Sequence, residues 1–223
     1  MIVAFDLEGT LVDAELFPAL GLQNGKKHAL DDITDKAMRG ELDYRTSLGL
    51  RLELVRGMEI ETVRNVAESL SLSRGAAETI SEVKRIDGIP IIVTGGFCVL
   101  AERVAKQLGV EYFACNRFKT EEGYITDVEE PWITGEGKAE KLLALASWLG
   151  VEPSQCVAVG DGANDIKMMR EAGLSIAYNG RETVREVADV SVMGDDLRMV
   201  LPYIREFAGR VLEERELLVN QLG

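Results

Sequence analysis

A doubly wound α/β core with a parallel sheet, carrying a small inserted helical cap, is the fold this 223-residue sequence predicts. Short runs of nearly continuous apolar residues recur along the chain and alternate with stretches of helical periodicity. Strands buried on both faces, and the helices that cross between them, read this way. One long interval, from Thr10 to Ile91, has helical periodicity and no strand. Several apolar runs also end abruptly in Asp, Thr or Gly. In open parallel sheets, ligands bind beyond the carboxyl ends of the strands.

The first strand is Ile2 to Phe5, four apolar residues that run into Asp6 and Glu8. Residues 14–74 follow as the inserted helical cap, leaving 1–13 and 75–223 for the core. Within the insertion Leu30, Ile33 and Ala37 share a face and Gly40 ends that helix. Asp43 suits the N-cap of a second helix with Tyr44, Leu48 and Val55 on one stripe, and Ile60, Val63, Ala67 and Leu70 mark a third. After Gly75 come a helix through Ile80 and Val83, a strand Pro90 to Val93, a helix Cys98 to Leu108 and a short strand Tyr112 to Cys115. Glu122-Gly123, between Lys119 and Ile125, suggests a hairpin. The remainder reads as a helix opened by Lys138, a strand Cys156 to Val159, a helix Asp165 to Ala172, a strand Leu174 to Ala177, a helix near Glu182 to Val187 and a strand Val190 to Met193. The last helix, Leu197 to Leu218, is expected in two pieces broken at Pro202.

The formal net charge of −13 excludes a basic nucleic-acid footprint and disfavours anionic membranes. No apolar run approaches the ~20 residues that cross a bilayer, and no basic leader precedes the first strand. A cytoplasmic protein, monomer or homodimer, is the expectation. Cys98, Cys115 and Cys156 are far apart and follow no metal or redox spacing, so all three are expected as core thiols.

The strand ends carry the chemistry. Asp6 and Glu8 follow the first strand, Thr94 and Gly95 the second, and Asp161, Asn164 and Asp165 the strand at Cys156. Asp6, Glu8, Asp161 and Asp165 gathered at one sheet edge would repel one another, and a hard divalent cation such as Mg²⁺ resolves this. Lys138 adds positive charge, and Thr94 with the Gly95 amide, expected at a helix N-terminus, offers donors to a phosphate. Carboxylates, a cation, a lysine and a Gly-rich turn are what phosphoryl transfer requires. Arg51 lies among Leu48, Leu52 and Val55 and needs an anionic partner, and Glu15 is placed to face the same pocket. A guanidinium for a carboxylate and a carboxylate for an ammonium together read an amino acid. Met38, Tyr44 and Phe97 are candidates to line that pocket.

D-L-E-G-T, V-T-G-G, an isolated lysine and G-D-G-A-N-D, in this order, resemble the four motifs of the haloacid dehalogenase superfamily. V-T-G-G-F with V-A-V-G-D-G-A-N-D-I resembles the phosphoserine phosphatases in particular, and the likeness covers nearly the whole chain. The resemblance implies a Mg²⁺-dependent phosphomonoester hydrolase that releases L-serine from O-phospho-L-serine, with a place in serine biosynthesis. Asp6 would form an aspartyl-phosphate. Glu8 would protonate the leaving alkoxide and then activate water. The metal would be held by Asp6, the Glu8 carbonyl and Asp161, supported by Asn164 and Asp165. Thr94, Gly95 and Lys138 would hold the phosphate, while Glu15, Arg51 and Asn164 would face the substrate.

Relatives more often carry Asp where this chain has Glu8. D-L-E-G is also similar to phosphoserine–homoserine phosphotransferases, which leaves open an alcohol in place of water as the acceptor. A phosphatase of another small phosphometabolite, or a non-catalytic phosphometabolite-binding protein on the same scaffold, are the other readings. The intact charged set argues against the last.

Overall fold

The structure, a computed structural model, describes residues 1–222. Strand β1 (Ile2–Phe5) is followed by four helices, α1 (Leu16–Asn24), α2 (Lys27–Met38), α3 (Tyr44–Val55) and α4 (Ile60–Ser69). Next come α5 (Ala76–Arg85), β2 (Ile89–Phe97), α6 (Cys98–Leu108) and β3 (Tyr112–Asn116). A hairpin, β4 (Phe118–Glu121) and β5 (Tyr124–Val128), leads to α7 (Gly135–Leu149). The chain then continues through β6 (Cys156–Gly160), α8 (Ile166–Glu171), β7 (Leu174–Tyr178), α9 (Glu182–Arg185), β8 (Val190–Val192) and α10 (Leu201–Leu222). Among the described residues, no helix is long and apolar enough to cross a membrane.

The main sheet has the order β3-β2-β1-β6-β7-β8, and every neighbouring pair is parallel. The order reverses between β1 and its two partners, β2 and β6, which creates the switch point at which α/β sheets bind ligands. Alternate residues of β1 supply the two faces. Val3 and Phe5 join the cluster containing Ile80, Val83, Leu100 and Val104, while Ile2 and Ala4 join Leu142, Ala146 and Met168. Each fully buried Leu, Ile or Phe of this kind contributes roughly 1.5–3 kcal/mol. This packing holds the C-terminal ends of β1, β2 and β6 in one plane.

The inserted helices leave and rejoin the core at a single place. Val12 bridges Leu72 in antiparallel register, and the Ser73 amide donates to Leu11 O at 2.9 Å. The hairpin turns at Glu122-Gly123, where both residues have positive φ (50° and 85°), the conformation a two-residue hairpin demands. It props the insertion from the side. The Gly57 amide donates to Ile125 O at 2.8 Å, and the Ile125 amide donates to Met58 O at 2.9 Å.

Four expectations are corrected. Strand β2 does not stop at Val93 but runs on through Thr94, Gly95 and Gly96 to Phe97, because Phe97 pairs with Asn116 of β3 after a register shift. Gly95 therefore lies on a strand extension and not at a helix N-terminus. Lys138 does not open α7. The helix starts at Gly135, and Lys138 closes its first turn. The last helical stretch does come in two pieces, a 3-10 turn Leu197–Val200 and then α10, but they meet at Leu201 and not at Pro202, which falls in the first turn of α10, where its missing N–H is not needed. Finally, Cys98 and Cys115 are joined in a disulfide, with Cα atoms 5.2 Å apart. The pairing of Phe97 with Asn116 sets the two cysteines side by side, a contact their spacing in the sequence conceals. Cys156 is a buried free thiol as expected, and burial pushes it up to about 11.

Candidate active site

The carboxyl end of β1 delivers Asp6 to the switch point, and the Asp6 amide donates to Val159 O of β6 at 2.9 Å. The ammonium of Lys138 reaches it from α7. Its Nζ lies 2.7 Å from Asp6 Oδ1 and 2.6 Å from Asp165 Oδ1, with the lysine wholly buried. Asp165 Oδ2 accepts from the amides of Asp161 and Gly162, each at 3.1 Å. Both Asp165 oxygens are thus engaged, which fixes the G-D-G-A-N-D turn. Asp161 differs, in that its Oδ1 is buried without a hydrogen-bond partner among the described residues.

Carboxylate oxygens of Asp6, Asp161 and Asp165 lie within 4.8 Å of one another. Three carboxylates against one ammonium leave an excess of negative charge in a buried place. Burial first, then Asp165, pushes Asp6 up to about 7, with Lys138 pulling the other way. Burial, Asp6 and Asp165 push Asp161 well above the usual carboxylate range. Burial also pulls on the Lys138 ammonium, but Asp165 and Asp6 together outweigh it and carry the lysine above its ordinary value. An unpartnered buried oxygen, an all-oxygen donor set and uncompensated charge fit a divalent cation. Gly9 makes the approach possible. It has φ +77°, and a methyl group there would stand 2.5 Å from Asp161 Oδ2.

Above this floor opens a cavity of about 430 Å³, whose wall includes Asp6, Glu8, Glu15, Arg51, Thr94, Gly95 and Asn164. Lys138, Asp161 and Asp165 lie beneath its surface. Glu8 Oε1 accepts from the Leu16 amide at 2.6 Å, so its carboxylate caps α1. Burial raises Glu8, opposed first by that amide and then by Arg51. Glu15 is pushed up to about 8 by burial and then by Glu8, against the pull of Arg51. Arg51 is buried on α3. Its Nε donates to Ser47 O at 3.3 Å, its guanidinium lies 4.9 Å from the Phe17 ring centre, and Nη2 has no hydrogen-bond partner among the described residues. Thr94 Oγ1 accepts from the Gly96 amide at 2.8 Å, which shapes the turn.

The sheet edge supplies Asp6, Glu8, Thr94, Gly95, Lys138, Asp161, Asn164 and Asp165, on the cavity wall or directly beneath it, and the inserted helices bring Glu15, Met38, Tyr44 and Arg51 to the same cavity. Phe97, expected to line it, does not, because its ring is buried against Phe17 and Phe118. Three contributors were not anticipated. Asn116 is buried at the end of β3 and ties the site's walls together, donating to Gly95 O at 2.7 Å and to Ile133 O at 3.2 Å. The signal that marked the other strand ends, a polar residue directly after an apolar run, is present there too. Lys167 and Glu136 pair at the cavity's mouth, and Lys167 carried no sequence signal beyond an ordinary exposed lysine. The third is the hydroxyl of Tyr44, which donates to Gly95 O.

A sequence model of the haloacid dehalogenase-like hydrolases matches residues 1–173. The chain is 38% identical over 207 residues to a phosphoserine phosphatase of Albidiferax ferrireducens, covering 90% of this chain and 87% of that one. A solved phospho-aspartyl intermediate analogue of phosphoserine phosphatase superposes with a TM-score of 0.88 at 35% identity, covering 91% of this chain and 98% of the other. A substrate-bound phosphoserine phosphatase structure gives 0.88 at 34%, covering 91% and 97%. With the motifs at one sheet edge and these likenesses over nearly its full length, the chain belongs to the haloacid dehalogenase-like hydrolases, on their phosphoserine phosphatase branch.

Proposed function

We propose that this protein hydrolyses O-phospho-L-serine to L-serine and phosphate, with Mg²⁺, through a phosphorylated Asp6. The observation that carries this reading is the cavity's two-ended polarity. Its floor presents Asp6 beside a cation-ready carboxylate set, and its far wall presents the unpartnered Arg51 Nη2 near Glu15. The substrate's phosphate suits the first end, and its carboxylate and ammonium suit the second. The activity of its relatives supports the choice of phosphoserine.

In this mechanism Asp6 attacks phosphorus while the bond to the serine oxygen breaks, and Glu8 gives its proton to the departing alkoxide. Glu8 then takes a proton from water as that water attacks the aspartyl-phosphate, which restores Asp6. Asp6, Asp161 and the Glu8 carbonyl would hold Mg²⁺, which when bound neutralises phosphoryl charge. Asp165 and Asn164 support this arrangement. Asp165 does so by fixing Lys138 and the two amides of the Asp161 turn. Thr94, Gly95 and Lys138 face the phosphate oxygens. Residues 14–74 act as the cap over the cavity, and the core comprises 1–13 and 75–223.

The test is phosphate release from phosphoserine, with and without Mg²⁺, beside other small phosphate esters. Release from the others with none from phosphoserine overturns the substrate. Added homoserine reports the acceptor, since appearance of phosphohomoserine at the expense of free phosphate assigns a transferase.

The charge at the floor predicts how stability depends on pH and metal. Asp6 titrates near 7 when folded, against about 3.9 when unfolded. A raised carboxyl pKa means that the folded state binds more protons. The metal-free protein is therefore fully supported below ~pH 4 and loses stability as pH rises through about 7. Thermal melts should show Mg²⁺ raising Tm over an EDTA control, and by more at pH 8 than at pH 5.5. Equal shifts at both pH values contradict the assignment of the acidic floor as the metal site.

A further inference from the structure

We propose that the Tyr44 hydroxyl is a positioning group that sets the distance between the phosphate-holding turn and the carboxylate reader Arg51, and so tunes the preference for carboxylate-bearing substrates. This rests on the function proposed above.

Tyr44 opens α3, whose start is fixed by Asp43, an N-cap that accepts from the Thr46 amide at 2.9 Å. The Tyr44 hydroxyl reaches out of the helical segment and donates to Gly95 O, in the extension of β2 beside Thr94. The contact is specific to the local geometry. Gly95 has no side chain, and a methyl group there would stand 2.6 Å from the Tyr44 oxygen. The same carbonyl accepts from Asn116 on the core side at 2.7 Å. One carbonyl therefore joins the core, the phosphate turn and α3. Burial pushes the Tyr44 hydroxyl up to about 12, which keeps it a donor across the working pH range.

The same helix bears the reader further along. Arg51 lies two turns on, about 10 Å along the axis and on the same stripe as Tyr44. Its guanidinium carbon sits 5.6 Å from the centre of the Tyr44 ring and 4.9 Å from that of Phe17. Tyr44 thus touches both ends of the cavity, the phosphate turn through its hydroxyl and the guanidinium through its ring face. A rigid helix anchored at its first turn fixes the position of a group two turns on. Without the anchor, α3 can slide or tilt and Arg51 moves relative to a phosphate held on the floor. A misplacement of about 1 Å can cost up to ~100-fold in rate.

Tyr44→Phe isolates the hydroxyl. The ring and its contact with Arg51 remain, and Gly95 O keeps Asn116 as a partner, so no buried carbonyl is stranded. The readout is the ratio of kcat/KM for phosphoserine to that for O-phosphoethanolamine, which lacks the carboxylate. Tyr44→Phe should lower this ratio about tenfold, within the range that a displaced reader produces. In an Arg51→Leu background, where the reader is gone, the same substitution should leave the ratio unchanged. An unaltered ratio in the native background, or equal falls in both backgrounds, overturns the positioning role. A native ratio near one removes Arg51 as a carboxylate reader and this proposal with it, whereas no release from phosphoserine at all removes the function on which the proposal rests. A high native ratio that survives Tyr44→Phe removes only the positioning role.

Discussion

Asp6→Asn should reduce phosphate release from phosphoserine by roughly 10⁴-fold or more, the scale seen when a nucleophile is removed. The amide matches the carboxylate in shape but is a poor nucleophile, so the acyl phosphate does not form. The fold should survive, and the metal-free protein should melt higher. Asp6 is one of three carboxylates whose oxygens lie within 4.8 Å, and burial and Asp165 both disfavour its charge. Deleting that charge relieves repulsion, while Lys138 keeps Asp165 at 2.6 Å. The variant should also lose most of the Mg²⁺-induced rise in Tm. Turnover and melting together make the check. Retained turnover within about tenfold of native removes Asp6 as nucleophile, and an unchanged metal response removes it from the metal site.

The strand ends were legible in the sequence because parallel strands buried on both faces leave little choice. An apolar run must stop where the sheet gives way to a polar site, and it does so at Asp6 after β1, at Asp161 just past β6, and at Thr94, where β2 itself continues to Phe97. The insertion was legible through the strand that never came between Thr10 and β2, although α1 gave no separate signal of its own. Depth was harder to read. Lys138 resembled a lysine at a helix start, yet it is wholly buried, because two carboxylates from distant strand ends converge on it. The disulfide depended on the alignment of β2 with β3, a tertiary register that no local pattern reports. Asn116 did carry the local mark of a polar residue after an apolar run, but only that alignment shows that it holds Gly95. The Tyr44 hydroxyl was hidden for a related reason. Tyr44 belongs to the apolar stripe of α3 by periodicity, and only the approach of Gly95 shows what its oxygen does.

Lys138→Met should have the largest effect on stability. The methionine fills similar space but leaves Asp6, Asp161 and Asp165 with no counter-charge in a buried site. Removing one partner of a buried ionic network costs about 3–5 kcal/mol. In a chain of this size that lowers Tm by roughly 10 °C. The deficit has a sign in pH. The stranded carboxylates can be buried without a partner only when protonated, so the variant should approach native stability near pH 5 and fall furthest behind above pH 7. Mg²⁺ should restore part of the lost stability, since it replaces positive charge at the same floor. It should not restore turnover, because the ammonium that Asp6 and a phosphate would share is gone. Melts from pH 5 to pH 8, with Mg²⁺ or EDTA, and phosphate release at each pH make the comparison. A deficit that is small or constant with pH shows that Lys138 does not neutralise the acidic floor. Turnover close to native in the Mg²⁺-stabilised variant shows that it does not act on the phosphate.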